Sequence, residues 1–190
     1  MKYDLIIIGS GPGGYVAAIR ASQLKLKVAI VERESLGGIC LNWGCIPTKS
    51  LLKSAQVFDY FKHAEDYGIK LEGEAKPDFE KVIKRSREVA DGMSKGVQFL
   101  MKKNKIDVIE GHGKLLGNGK ISVEKDSKSE NYEAENIILA TGARSRELPN
   151  LKQDGKKIIG YRQAMNLPKQ PESMIVVGSG AIGSEFAGFY

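Results

Sequence analysis

Histidine, cysteine and tryptophan are scarce in this 190-residue sequence, which holds two, two and one of them respectively. Each scarcity excludes something. Two thiols, Cys40 and Cys45, and two histidines, His63 and His112, at no zinc-finger spacing, are too few for a tetrahedral site, so no metal is expected. Aromatic residues make up 7% and do not alternate with basic ones in the manner that stacks bases. The net charge of +6 is dispersed among interleaved acids, so no nucleic-acid partner is expected. The apolar run inside MKYDLIIIGSG is far shorter than a signal peptide or a membrane span. A cytoplasmic protein with no membrane partner is expected. In that reducing setting a close cysteine pair points to catalysis or metal binding sooner than to a structural staple.

What is present is globular. With 42% apolar and 27% charged residues, the chain is long enough for one full core and the beginning of another. YDLIIIG reads as a buried strand and SGPGG as a turn. YVAAIRASQLK, with apolar residues at helical spacing, reads as a helix, and KVAIVE as a second buried strand that closes a βαβ unit. After the cysteines, Pro47 suits a first helical turn, and the spacing predicts a helix that Gly68 ends. A second long helix follows, with Asp78 as its N-cap and Gly92 and Gly96 as weak points. From IDVIEG onward short strands alternate with Gly, Asn and Ser turns and end in the run IILA, which is expected to be buried. A connector rich in Pro, Lys and Gln carries one short helix. MIVVGSGAIGSEFAGFY then repeats the opening strand, glycine turn and helix, so the sequence reads as a fragment that enters a second α/β unit.

The two glycine turns carry the first functional reading. Gly9, Gly11 and Gly14 follow a strand at the spacing in which the first makes a tight turn. The second admits a pyrophosphate, and the third lets helix pack on strand. Glu32, at the end of the next strand, stands where an acid holds ribose hydroxyls. The alternative is a glycine-rich turn without a ligand. Gly178, Gly180 and Gly183 repeat the pattern, so two redox nucleotides exchanging electrons are expected. Glu185, where the first motif has Val16, lies in the first helical turn, and its carboxylate is expected either to face a cation rather than a pyrophosphate or to be an exposed acid that suits the helix start.

Cys40 and Cys45 stand in GGICLNWGCIPTK with four residues between them. Gly44 gives the backbone freedom to close a small loop, and such a loop is easily reduced, which suits a disulfide that opens and closes in turnover. Cys45 lies just ahead of the predicted helix, where the dipole favours thiolate, and Lys49 adds positive charge about one turn on. Two buried, unreactive thiols would suit either cysteine alone better than the pair.

GGICLNWGCIPTK, with GSGPGG before it and ILATGAR after it, resembles the pyridine nucleotide-disulfide oxidoreductases along the whole chain. Its Leu-Asn and Ile-Pro-Thr-Lys details favour the lipoamide-oxidising branch over the glutathione and mercuric reductases. The resemblance implies a Rossmann-like FAD-binding domain with a helical excursion and a β-meander over residues 1–150, lacking its C-terminal return segment. Residues 151–190 would be a connector and the start of a Rossmann-like NAD-binding domain. It implies Cys40 as the interchange thiol, Cys45 as the charge-transfer thiolate against flavin, and Lys49 near the flavin and paired with Glu185. Gly9, Gly11, Gly14, Glu32, Arg33, Gly38, Gly113, Thr141 and Gly142 would contact FAD along with Cys40 and Lys49, and Gly178, Gly180 and Gly183 would begin the NAD site. The implied activity is oxidation of dihydrolipoamide, carried on a lipoyl domain, by a homodimer serving 2-oxo acid dehydrogenase complexes or the glycine cleavage system. The family's general base is a histidine from the partner subunit, which neither His63 nor His112 replaces, so the fragment alone is expected to be inactive. The rival reading for the fragment is a nucleotide-binding module without turnover. Trp43 and Ile39 stand where the family more often has a small apolar residue and a threonine, which bears on pocket shape only.

Overall fold

The computed structural model describes residues 2–190. The chain divides into two compact units, residues up to 42 with 91–144, and residues 43–90 with 145–190.

The first unit is built on a six-stranded sheet in the order β3-β2-β1-β6-β5-β4. Strands β1 (Lys2–Ile8), β2 (Val28–Glu32) and β3 (Asp107–Glu110) run parallel to one another, and β6 (Lys128–Leu139) is parallel to β1. Strands β4 (His112–Gly117) and β5 (Lys120–Lys125) continue antiparallel from β6. The near-continuous apolar runs of β1 and β2 are those of strands covered on both faces. Their residues Ile6, Ile8, Ala29 and Val31 pack with Ile121, Val123 and Ala134 in one core. Two-residue turns link the meander, Asn118-Gly119 and Asp126-Ser127, with positive φ at all four residues, the geometry that matches the twist of a hairpin. Helix α1 (Pro12–Gln23) crosses from β1 to β2. Tyr3 on β1 reaches past β2 and donates its hydroxyl to Asp107 Oδ2 at 3.0 Å.

The run IILA is not buried as expected. Ile138 and Leu139 are 39% and 58% exposed, because β5 pairs only as far as Glu133 and, among the described residues, Asn136–Leu139 pair with β1 alone.

The second unit is helical. Helix α2 (Gly38–Trp43) precedes it, and α3 (Cys45–Lys62) begins at once, with Pro47 buried in its first turn. Helix α3 ends earlier than Gly68 would suggest. His63 leaves helical geometry at φ −113°, its ring Nδ1 sits 2.9 Å from the Asp59 carbonyl, and a tighter 3₁₀ turn, Ala64–Tyr67, runs on to Gly68 at φ +71°. Helix α4 (Phe79–Lys103) starts at Asp78, whose Oδ1 accepts the Lys81 N–H at 3.1 Å, and continues unbroken through Gly92 and Gly96. Leu51 of α3 packs with Ala164 of the short α5 (Tyr161–Ala164), Met165, and Phe186 of α6 (Ala181–Phe189). Arg85 of α4 donates to Ser50 Oγ at 2.7 Å and fixes α3 against α4.

The second strand-turn-helix is formed only in part. Met174–Val177 pairs with no strand among the described residues, and Ile175 is 90% exposed, whereas the turn and α6 are in place. A strand needs a neighbouring ladder, and a helix supplies its own hydrogen bonds. No helix is long and apolar enough to cross a membrane among the described residues.

Two adjacent glycines give a first test. A Cβ at Gly14 would lie 1.9 Å from the Gly9 carbonyl oxygen, and one at Gly13 would meet nothing within 4 Å. Gly14→Ala should lower stability by about 1–3 kcal/mol, and Gly13→Ala should be neutral or stabilising by up to about 1 kcal/mol. Equal denaturation midpoints for the two variants would contradict this packing. A second test uses Tyr3, whose burial and hydrogen bond to Asp107 push its pKa up from 10.0 to about 12. The folded chain holds that proton more tightly than the unfolded chain. The stabilisation is therefore complete below pH 10 and lost as the pH rises towards 12. Tyr3→Phe should remove one phenolate from the late phase of an ultraviolet titration, and an unchanged late phase would refute the assignment.

Candidate functional site

In the first unit the site is a loop between strand and helix. Gly9 leaves β1 at φ +102° and donates its N–H to the Val31 carbonyl at 2.8 Å. A Cβ here would sit 2.2 Å from the Ala140 carbonyl oxygen, so this position requires glycine twice over. Gly11 caps α1 with extended backbone (φ −63°, ψ −178°), and a Cβ on it would meet nothing within 4 Å. Space therefore remains before the start of α1, where Pro12 carries no N–H and Gly14 donates to the Gly11 carbonyl at 2.8 Å. Gly38, at φ +61°, packs its backbone on Gly11, where a Cβ would come within 2.7 Å of the Gly11 Cα.

Glu32, half-buried at the end of β2, organises the loop. Its Oε2 accepts the Ser10 N–H at 3.0 Å and the Ser10 hydroxyl at 2.6 Å. Its Oε1 accepts the N–H groups of Arg33 at 2.8 Å and Glu34 at 2.9 Å. A carboxylate has about four acceptor directions, and these four donors engage them. The fully buried Ser10 thus joins the glycine loop to the loop after β2.

Beside this loop lies a cleft of about 520 Å³ whose lining includes Glu32, Arg33, Glu110, His112 and Lys125. Lys125 pairs with Glu110 at its rim, and the pair raises the lysine pKa and lowers that of the carboxyl. His112 opens β4 opposite Glu124. Gly113 follows with its backbone against β1 and β2, where a Cβ would stand 3.1 Å from Ile8 Cγ2 and 3.3 Å from Val31 Cγ1. Thr141 and Gly142 are exposed just beyond β6, with Gly142 at φ +70°. Cys40 is half-buried on α2, whose neighbour Asn42 turns its amide to the carbonyls of Leu36 at 3.0 Å and Gly38 at 2.9 Å.

In the second unit Cys45 is exposed at the first position of α3, after Gly44. Thr48 closes that first turn, donating its hydroxyl to the Gly44 carbonyl at 2.7 Å. Cys45 thus stands at the N-terminal end of α3, one turn ahead of Lys49. Lys49 is ion-paired with Glu185 of α6. Glu185 lies just past the first helical turn rather than within it. Gly178 at φ +113°, Gly180 as N-cap at φ −70° and ψ 172°, and Gly183, where a Cβ would stand 2.2 Å from the Gly178 carbonyl oxygen, repeat the first loop's geometry.

Several contributors carry no motif. Ser10 and Asn42 could be suspected only as small polar residues among glycines. The guanidinium groups of Arg87 and Arg162 lie 4.6 Å and 5.2 Å from the centre of the Trp43 ring, and nothing in the local sequence announces either. Among the described residues no group of three or more side chains is placed to hold a metal ion.

Comparison with known proteins agrees with this geometry. The family model described as pyridine nucleotide-disulphide oxidoreductase matches residues 3–190. Dihydrolipoyl dehydrogenase of Rhizobium etli is 57% identical over 100% of this chain and 42% of its own length. The enzymes of that name from Zymomonas mobilis and Bacillus subtilis are 57% and 47% identical, over 99% and 98% of this chain and 40% and 41% of their own lengths. The chain thus spans about two-fifths of the curated relatives it matches. The HOCl-induced flavoprotein disulfide reductase RclA of Escherichia coli, solved as a Cu(II) complex, superposes with a TM-score of 0.81 at 28% identity, over 100% of this chain and 41% of that one. With its glycine loops, its cysteine motif and a family match over nearly its full length, the chain belongs to the pyridine nucleotide-disulphide oxidoreductase family.

Proposed function

We propose that this chain is part of a flavin-dependent enzyme that oxidises dihydrolipoamide to lipoamide with NAD as the final acceptor. The observation that carries the reading is Cys45 at the first position of α3, with Lys49 one turn on and Glu185 paired to it. The identities of 57% with dihydrolipoyl dehydrogenases support the lipoamide branch.

The residues fit FAD. Gly11 leaves open space before the start of α1, and Glu32 and Ser10 hold the loop through two hydrogen bonds. Gly9, Gly11, Gly14 and Gly38 would hold the pyrophosphate. Glu32, Arg33 and Gly113 would face the adenosine, with Thr141 and Gly142 beside it. Ribose hydroxyls would bond Glu32 in exchange for one of its present donors. When bound, FAD supplies a two-electron acceptor that returns a hydride to NAD. Residues 1–150 would form the FAD domain, and Gly178, Gly180 and Gly183 the entrance to the NAD domain begun within 151–190.

The thiol chemistry belongs to this chain. In the oxidised form Cys40 and Cys45 share a disulfide. A substrate thiolate attacks Cys40 Sγ, forming a mixed disulfide, and the old bond breaks with its electron pair leaving on Cys45. The helix dipole and Lys49 hold that thiolate. The second substrate thiol gives up its proton and displaces Cys40, so the substrate leaves as its disulfide and the cysteine pair carries the two electrons onward. Glu185 keeps the Lys49 ammonium beside the turn. The base that accepts the substrate protons would come from a partner subunit of a homodimer. The whole enzyme would act in the cytoplasm on lipoyl domains of 2-oxo acid dehydrogenase complexes or the glycine cleavage system.

The test is optical. In the FAD-loaded enzyme, Cys45→Ser should abolish the long-wavelength charge-transfer band that appears on reduction, whereas Cys40→Ser should keep a thiolate at position 45 and show the band. A normal band in Cys45→Ser would refute the division of roles.

A further inference from the structure

The sheet order sets β1 between β2 and β6, all parallel, so the loops leaving their C-terminal ends stand side by side with the glycine loop in the middle. Ligands of an α/β sheet lie across these carboxyl ends. On one flank, Glu32 fixes the start of the loop after β2 through the N–H groups of Arg33 and Glu34, and ties it to Ser10. On the other flank, Ala140 donates its N–H to the Ile8 carbonyl at 2.8 Å, and the chain runs on through Thr141 and Gly142. Arg144 then reaches back across, and its Nη2 lies 2.9 Å from Glu34 Oε1.

Ser10, Glu32, Glu34 and Arg144 therefore form a connected series of polar contacts from the glycine loop to the loop after β6. The Ser10–Glu32 side is held by two hydrogen bonds to an inner serine. The Glu34–Arg144 side includes an ion pair between side chains that are 40% and 42% exposed.

We propose that the Glu34–Arg144 ion pair is a clasp that closes over the glycine loop and retains the dinucleotide there. The proposal rests on the FAD reading given above. The pair joins the loops on either side of the position the pyrophosphate would take, so FAD enters or leaves when it parts. Water screens a pair this exposed, which limits its effect to a modest rate factor.

The measurement is FAD release from the holoenzyme, followed by the rise of free-flavin fluorescence in the presence of a scavenging apoflavoprotein. Glu34→Gln and Arg144→Met should each release FAD about threefold to tenfold faster. The double variant should be no faster than the quicker single one, and the exchanged pair, Glu34→Arg with Arg144→Glu, should return to within about twofold of the native rate. Native rates in both single variants, an effect of Arg144→Met alone, or additive effects would each overturn the clasp. A native protein that takes up no FAD would overturn the flavin reading and the clasp with it.

Discussion

A backbone contact that only glycine permits sets the geometry of everything else: the carbonyl of Gly9 lies where a side chain on Gly14 would have to be. It lets the first turn of α1 sit directly on the end of β1, so the helix begins where the strand stops and its N–H groups open onto the carboxyl edge of the sheet. Gly178 and Gly183 make the same contact. In the second case the preceding run has no strand partner, yet the turn and helix are formed. The loop geometry is thus shared by the two sets of three glycines at the same spacing.

Around the first loop the chain builds a polar frame of its own residues. Glu32 joins the glycine loop to the loop after β2 through four donors, and Arg144 brings in the loop after β6. Preorganisation of this kind lowers the ordering cost that binding would otherwise carry. The second unit applies a related principle to sulfur. A cysteine at the start of a helix, with a lysine one turn on whose ammonium is held by a glutamate, is an electropositive setting in which a thiolate can wait for its next partner.

Much of this was legible in the sequence, and the reasons divide cleanly. Glycine turns, the Asp78 cap and the apolar strands are governed by forces acting within a few residues, and each stands where the sequence placed it. Two of the misreadings concern strand partners. IILA looked buried, but its exposure depends on how far β5 runs alongside β6. MIVV looked like a strand, but a strand needs a neighbour. Helix α3 ends at Lys62, with the His63 ring against the Asp59 carbonyl, and the 3₁₀ turn rather than the helix runs on to Gly68. The Glu34–Arg144 pair joins residues 110 apart, and the rings of charge around Trp43 come from α4 and α5, so no local pattern could announce them.

The central claim, that one dithiol and one flavin work in series, is tested most directly by counting electrons. Anaerobic titration of the oxidised, FAD-loaded enzyme with a strong reductant should consume four electrons per flavin, two for the Cys40–Cys45 disulfide and two for the flavin. An end point at two electrons, with both thiols already open to alkylation before any reductant is added, would contradict it.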